Sequence, residues 1–155
     1  MTHLGIDHVD SYVYRWDGDR PRYLLLKRRK QTHYGHLWQG VAGKMAGTET
    51  ASETVIREVR EETGLEPVHL VVVDYVSSFY QNHRDRIHLV PVFGVQVDSP
   101  HVRLSDEHTE FRWVHLPEAQ SLLAWRQQKE AIQVLHEMLT EDDGRMTWSE
   151  IDVQD

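Results

Sequence analysis

The chain carries three glutamates, Glu58, Glu61 and Glu62, in the run GKMAGTETASETVIREVREETGL at residues 43–65. On a helix, spacings of i, i+3 and i+4 put all three side chains on one face. As structure alone this is a poor choice. Like charges at these spacings destabilise a helix by about 0.2–0.5 kcal/mol per pair. Acids in a last turn also oppose the helix dipole, at ~0.3–1 kcal/mol each when exposed. A hard divalent cation reverses the sign of both effects, because Mg²⁺ or Mn²⁺ prefers carboxylate oxygen. Taken by themselves, the three residues fit a solvated acidic face and a cation site equally well.

The element that must position them is well defined. Thr50 followed by Glu53 has capping-box spacing, so Thr50 is expected to cap a helix over about residues 51–63. Val55, Ile56 and Val59 recur at helical spacing as its buried face. Gly64 stands where a helix needs a residue of positive φ to stop. The full spacing then decides between the two readings. Gly43, Glu49, Arg57-Glu58, Val59, Glu61-Glu62, Gly64 and Leu65 match the fixed positions of the Nudix box, and the chain resembles a Nudix hydrolase from about residue 7 to 139.

The resemblance implies an α/β fold, a sandwich of helices around a mixed central sheet. It also implies metal-dependent hydrolysis of a pyrophosphate linkage by water. Mg²⁺ is the expected cofactor, with Mn²⁺ as a substitute. The metal ligands it implies are Glu58, Glu61 and Glu62, joined by the backbone carbonyl of Ala42. Arg57 projects away from the acids on a helical wheel, and in the family it holds Glu49 and the preceding loop in place. A further acid is implied before the strand EFRWV: Glu107, followed by His108, occupies a position that in several subfamilies reaches the metal cluster. Glu107 and Glu58 are both candidates for general base; Asp106 is read as a turn acid.

For substrate contacts, the resemblance points to Arg28 within the basic cluster at residues 27–30, beside the reading of a solvated strand end. Trp38, Phe79 and Tyr80 are candidates to stack on a flat ring or to belong to the core. Eleven histidines suggest zinc, His33 and His36 above all, but no cysteine and no helical HExxH pattern supports it. LLLKRR, the WQ-x-V-x-G approach to Gly43, Glu107-His108, Arg112-Trp113 and AWRQQKEAI most resemble the dihydroneopterin triphosphate pyrophosphatases. The diadenosine tetraphosphate hydrolases are the alternative, although Val41-Ala42 replaces their usual Pro-Lys. Lys44-Met45-Ala46 departs from the acidic loop common to both. A domain that senses nucleotides without cleaving them is a third reading, disfavoured by the intact carboxylates.

At 155 residues, 39% hydrophobic and 27% charged, the composition fits one globular domain. A net charge of −8 argues against a nucleic-acid surface and leaves a small nucleotide-like partner. Homodimerisation is left open. The absence of cysteine removes disulfides, thiolate sites and thiol nucleophiles. The charged N-terminal stretch and the lack of a long apolar run suggest a cytoplasmic protein with no membrane segment. Expected strands cover residues 8–16, 23–28, 37–42, 68–80, 87–97 and 110–115. A helix is expected over residues 117–139, broken near Trp125, with Ala119, Leu122, Leu123, Ile132, Leu135 and Leu139 buried. The catalytic domain is placed at residues 1–140, and residues 141–155 are read as an acidic tail, disordered or bound to a partner.

Overall fold

A computed structural model describes residues 1–32 and 34–153. Its strands are β1 (His3–Gly5), β2 (His8–Asp17), β3 (Arg20–Arg28), β4 (Trp38–Gln39), β5 (Val41–Lys44), β6 (His69–Gln81), β7 (Arg86–Gln96), β8 (His108–Val114) and β9 (Glu150–Ile151). The helices are α1 (Ala51–Thr63), α2 (Leu116–Leu122), α3 (Arg126–Thr140) and α4 (Arg145–Ser149). The strands form one mixed sheet in the order β4-β3-β2-β7-β6-β9, with β1 on β7, β5 on β2 and β8 on β3. β2 and β1 run parallel to β7, and the other pairings are antiparallel.

Alternation along β2 explains the layers. Tyr12 and Tyr14 enter one core with Ala131, Ile132, Leu135 and Met138 of α3. Val9 and Val13 enter a second core on the other face, with Val55 and Val59 of α1. A period of two along a strand sends neighbours to opposite faces, so the sheet is covered on both sides. This is the α/β sandwich that the sequence predicts. Ala119, Leu123, Ile132 and Leu135 are buried as expected, while Leu122 and Leu139 are only partly buried. Among the described residues, no helix is long and apolar enough to cross a membrane.

Four local features differ from the sequence expectation. The segment at residues 37–42 is two strands, not one. β4 pairs with β3 and β5 pairs with β2, and Gly40 between them is the crossing point. β1 has no alternating pattern to betray it; three residues suffice because β7 supplies a template. β8 begins at His108, two residues earlier than expected. The segment after residue 140 is also ordered as far as Val153. Met146 packs on the α3-side core, Ile151 and Val153 on the α1-side core, and β9 pairs with Leu70 and Val71 of β6. Beyond that pairing, the Gln127 side chain accepts from the Ser78 N–H at 2.7 Å and donates to its carbonyl at 2.8 Å.

Candidate active site

α1 is built as its sequence dictates. The Thr50 hydroxyl accepts from Glu53 N at 3.3 Å, and the Glu53 carboxylate accepts from Thr50 N at 3.2 Å. Gly64, at φ 70°, ends the helix and donates to the Arg60 carbonyl. The helix lies so close to β5 that a Cβ on Gly43 would sit 2.4 Å from Glu58 Cγ. Only glycine lets the Glu58 side chain lie against this backbone. Ala42, the neighbouring residue, is exposed on β5 opposite Asp10.

The acids are held by different partners. Glu62 is 7% exposed and accepts from Ser105 Oγ and, at 3.2 Å, from His108 Nδ1. Burial pushes its carboxyl up, but the His108 and Ser105 hydrogen bonds outweigh this, and its pKa lies below the usual value. Gln39 Nε2 lies 3.0 Å from His108 Nε2. An amide nitrogen can only donate, so this contact assigns the imidazole proton to Nδ1, facing Glu62. Glu58 is half-buried and its pKa is raised by burial, against the pull of Arg57. Donor atoms of Glu62, Glu107 and His108 lie within 4.8 Å of one another, and Glu107 is exposed. Arg28, at the end of β3, is near enough for its charge to lower the Glu62 pKa.

Arg57 grips Glu49 through two bonds, Nε at 2.7 Å and Nη2 at 2.9 Å, and donates to the Lys44 carbonyl at 3.1 Å. Its hydrogen bonds hold Glu49 down to about 2. The expectation that Arg57 points away from the acids needs correcting. Its Nη1 also reaches Glu58 at 2.8 Å and Glu61 at 3.2 Å. A helical wheel projects Cβ directions and ignores the length of an arginine, which here folds back along the helix.

Not every expected residue gathers here. Trp38 is 8% exposed in the α3-side core, with the Arg112 guanidinium 5.0 Å from its ring centroid. Tyr80 is exposed near the far end of β6, its hydroxyl donating to Asp85 at 2.8 Å, and β2 and β7 separate that strand from β3. His33 lies outside the described residues. Two neighbours were not singled out from sequence, Ser105 and Gln39; nor was Asp10, which lies on β2 opposite Ala42 and on the strand face of Tyr12 and Tyr14. Burial pushes the Asp10 carboxyl up to about 7, against hydrogen bonds from Ser11 N and Tyr12. An aspartate in the otherwise apolar and aromatic alternation of HVDSYVY was the available signal.

A carboxylate tier at a helix end, with its last member buried, a glycine under it and a gripping arginine form one constellation. The family model for the NUDIX domain matches residues 7–137, and the chain belongs to that family. It is a Nudix hydrolase, an enzyme acting on phosphoanhydride bonds. It is 27% identical over 128 residues to the bis(5'-nucleosyl)-tetraphosphatase [asymmetrical] of Mus musculus, covering 81% of this chain and 85% of that protein. It is 28% identical over 139 residues to the dihydroneopterin triphosphate diphosphatase of Escherichia coli K12, covering 81% and 89%. A 34% identity over 127 residues links it to an octanoyltransferase of Myxococcus xanthus, covering 80% of this chain but only 35% of that protein. Among solved structures, a NUDIX hydrolase from Listeria monocytogenes superposes with a TM-score of 0.75 at 27% identity, covering 88% and 96%.

Nudix hydrolases depend on a divalent metal. The oxygen-rich set at the end of α1, with one imidazole behind it, suits a hard cation.

Proposed function

We propose that the chain is a Mg²⁺-dependent pyrophosphohydrolase, able to use Mn²⁺, that acts on a small nucleotide-like triphosphate in the cytoplasm. The substrate favoured is dihydroneopterin triphosphate or a nucleoside triphosphate, cleaved by water to the monophosphate and pyrophosphate. The observation that carries this reading is the meeting of Glu62, at the end of α1, with Glu107 and His108 where β8 begins, inside a complete family box that also puts Glu58 one turn back on α1. The E. coli relative and the shared LLLKRR and Glu107-His108 segments support the choice of substrate.

Glu58, Glu61 and Glu62, with the Ala42 carbonyl, would hold the cation. When bound, it neutralises phosphate oxygens, acidifies water and aligns attack with the leaving group. Arg57 fixes Glu49 and the loop that leads into α1. Arg28 neutralises substrate phosphate. Glu107 takes the proton of the attacking water onto its carboxylate, because it is exposed beside Glu62 whereas Glu58 is engaged by Arg57. Ser105 and His108 orient Glu62.

The Mus musculus relative favours a second substrate, a dinucleoside tetraphosphate cleaved asymmetrically. Incubation with both classes, with Mg²⁺ or with EDTA, separates the readings by product. Pyrophosphate from the triphosphate supports the first, and a nucleoside triphosphate plus a monophosphate from the dinucleotide supports the second. Binding without turnover of any substrate would make the chain a nucleotide sensor. Full activity in EDTA would overturn the metal mechanism.

A further inference from the structure

A second cluster of metal-ligating side chains lies where β1, β2 and β7 meet, and it shares no residue with the proposed active site. Asp7, His8 and His88 each offer a donor atom, and these atoms lie within 4.8 Å of one another. Asp7 Oδ1 is 2.9 Å from His8 Nδ1 and 3.8 Å from His88 Nδ1. Tetrahedral coordination with bonds of about 2.0–2.2 Å places ligand atoms roughly 3.3 Å apart. The two observed separations straddle that value.

His88 supplies the independent observation. Its side chain is fully buried, yet Nδ1 has no hydrogen-bond partner. Its other nitrogen, Nε2, lies 2.9 Å from Gln81 Oε1. An amide oxygen only accepts, so Nε2 carries the proton and Nδ1 presents a lone pair. A neutral histidine whose remote N–H is fixed by a carbonyl-type acceptor is the usual form of a metal-bound histidine.

The chain around it leaves that lone pair uncovered. Gly5 of β1 pairs with His88, and a Cβ there would lie 2.7 Å from Nδ1. Phe79 stacks on the His88 ring with centroids 4.7 Å apart, fixing its plane. Lys44, 3.7 Å from Asp7 Oδ2, leaves Oδ1 to the histidines. Asp7 and His8 are partly exposed and give an ion a way in.

The geometry points to a zinc site formed by Asp7 Oδ1, His8 Nδ1 and His88 Nδ1, tying β1, β2 and β7 together. Two imidazoles and one carboxylate form a borderline donor set that suits Zn²⁺ over Mg²⁺. Coordination replaces the His8–Asp7 hydrogen bond and gives the buried Nδ1 its missing partner. Three protein ligands leave a fourth position for water.

The test is zinc uptake by the full, untagged chain in excess Mg²⁺, measured by equilibrium dialysis, with Co²⁺ absorption as a report of geometry. One equivalent of Zn²⁺ is expected, with visible Co²⁺ bands of tetrahedral intensity. His8→Ala and Asp7→Asn alter the accessible side of the cluster and should abolish the bands. Gln81→Leu, which frees the far imidazole nitrogen, should weaken uptake about 10–100-fold. Glu62→Gln should leave uptake unchanged. Absence of zinc binding in the unsubstituted chain overturns the proposal. So does uptake that survives both His8→Ala and Asp7→Asn, or that is lost in Glu62→Gln because zinc sits on α1 instead.

Discussion

Glu62 is the least exposed of the four α1 acids and receives two side-chain hydrogen bonds, so its substitution separates chemistry from architecture. Glu62→Gln should lower kcat at least about a hundredfold, the scale of losing one electrostatic contact to the transition state. The melting temperature should change little, because lost like-charge repulsion offsets the weakened bond to His108; unfolding would mark Glu62 as structural. For Glu107, Glu107→Gln should depress kcat with KM nearly unchanged and shift the acidic limb of the pH-rate profile, while Asp106→Asn does neither. Equal behaviour of the two variants would transfer the role of base to Glu58. Glu49 offers a test of the arginine grip. Its folded pKa, about 2, lies below the ordinary glutamate value of 4.5. A depressed carboxylate stabilises the fold fully above about pH 4.5 and loses that contribution as pH falls towards 2. Without metal, Glu49→Gln should therefore melt a few degrees lower at pH 6, and the gap should close by pH 2–3. The box residues were legible because one helix sets their spacing. Ser105 and Gln39 were not, because a loop and β4 bring them in from distant parts of the chain.

At the level of elements, α1 and β5 act as a single part, since Glu58 lies on the backbone of Gly43. Gly43→Ala forces either the strand or the carboxylate to move. It should cost activity about tenfold or more while far-UV circular dichroism stays the same; unchanged turnover would show that Glu58 has no fixed position to lose. Helices and long strands were readable because capping, periodicity and β-branched runs are local signals. The break between α2 and α3 was readable for the same reason, and Trp125 N donates to Gln128 at the new helix start. β1 and β9 carry no such signal. Each is two or three residues long and is a strand only because a longer neighbour offers it free backbone groups. Trp38 shows the same limit for a side chain: its type left stacking and core both open, and its place in the sheet packs it into the α3-side core.

For the molecule as a whole, the segment after Thr140 belongs to the fold, contrary to the expectation of a separate tail. A chain ending at residue 140 loses Met146, Ile151 and Val153 from the two cores. Its melting temperature should fall by several degrees, at roughly 2–4 °C per kcal/mol for a protein of this size; an unchanged melting curve would restore the tail reading. The charge pattern that suggested disorder was real, but charge alone does not report the few apolar residues spaced to dock. The same segment has a consequence for behaviour in concentrated solution. β6 is the outermost long strand, and Val72, Val76, Phe79 and Tyr80 on it are exposed. An open strand edge with apolar side chains invites another chain to add on and start aggregation. Two small devices occupy that edge: β9 covers Leu70 and Val71, and the amide of Gln127 takes both backbone groups of Ser78, as one residue of a passing strand would. Neither takes part in catalysis as proposed, and both help to keep the enzyme from polymerising through its own sheet.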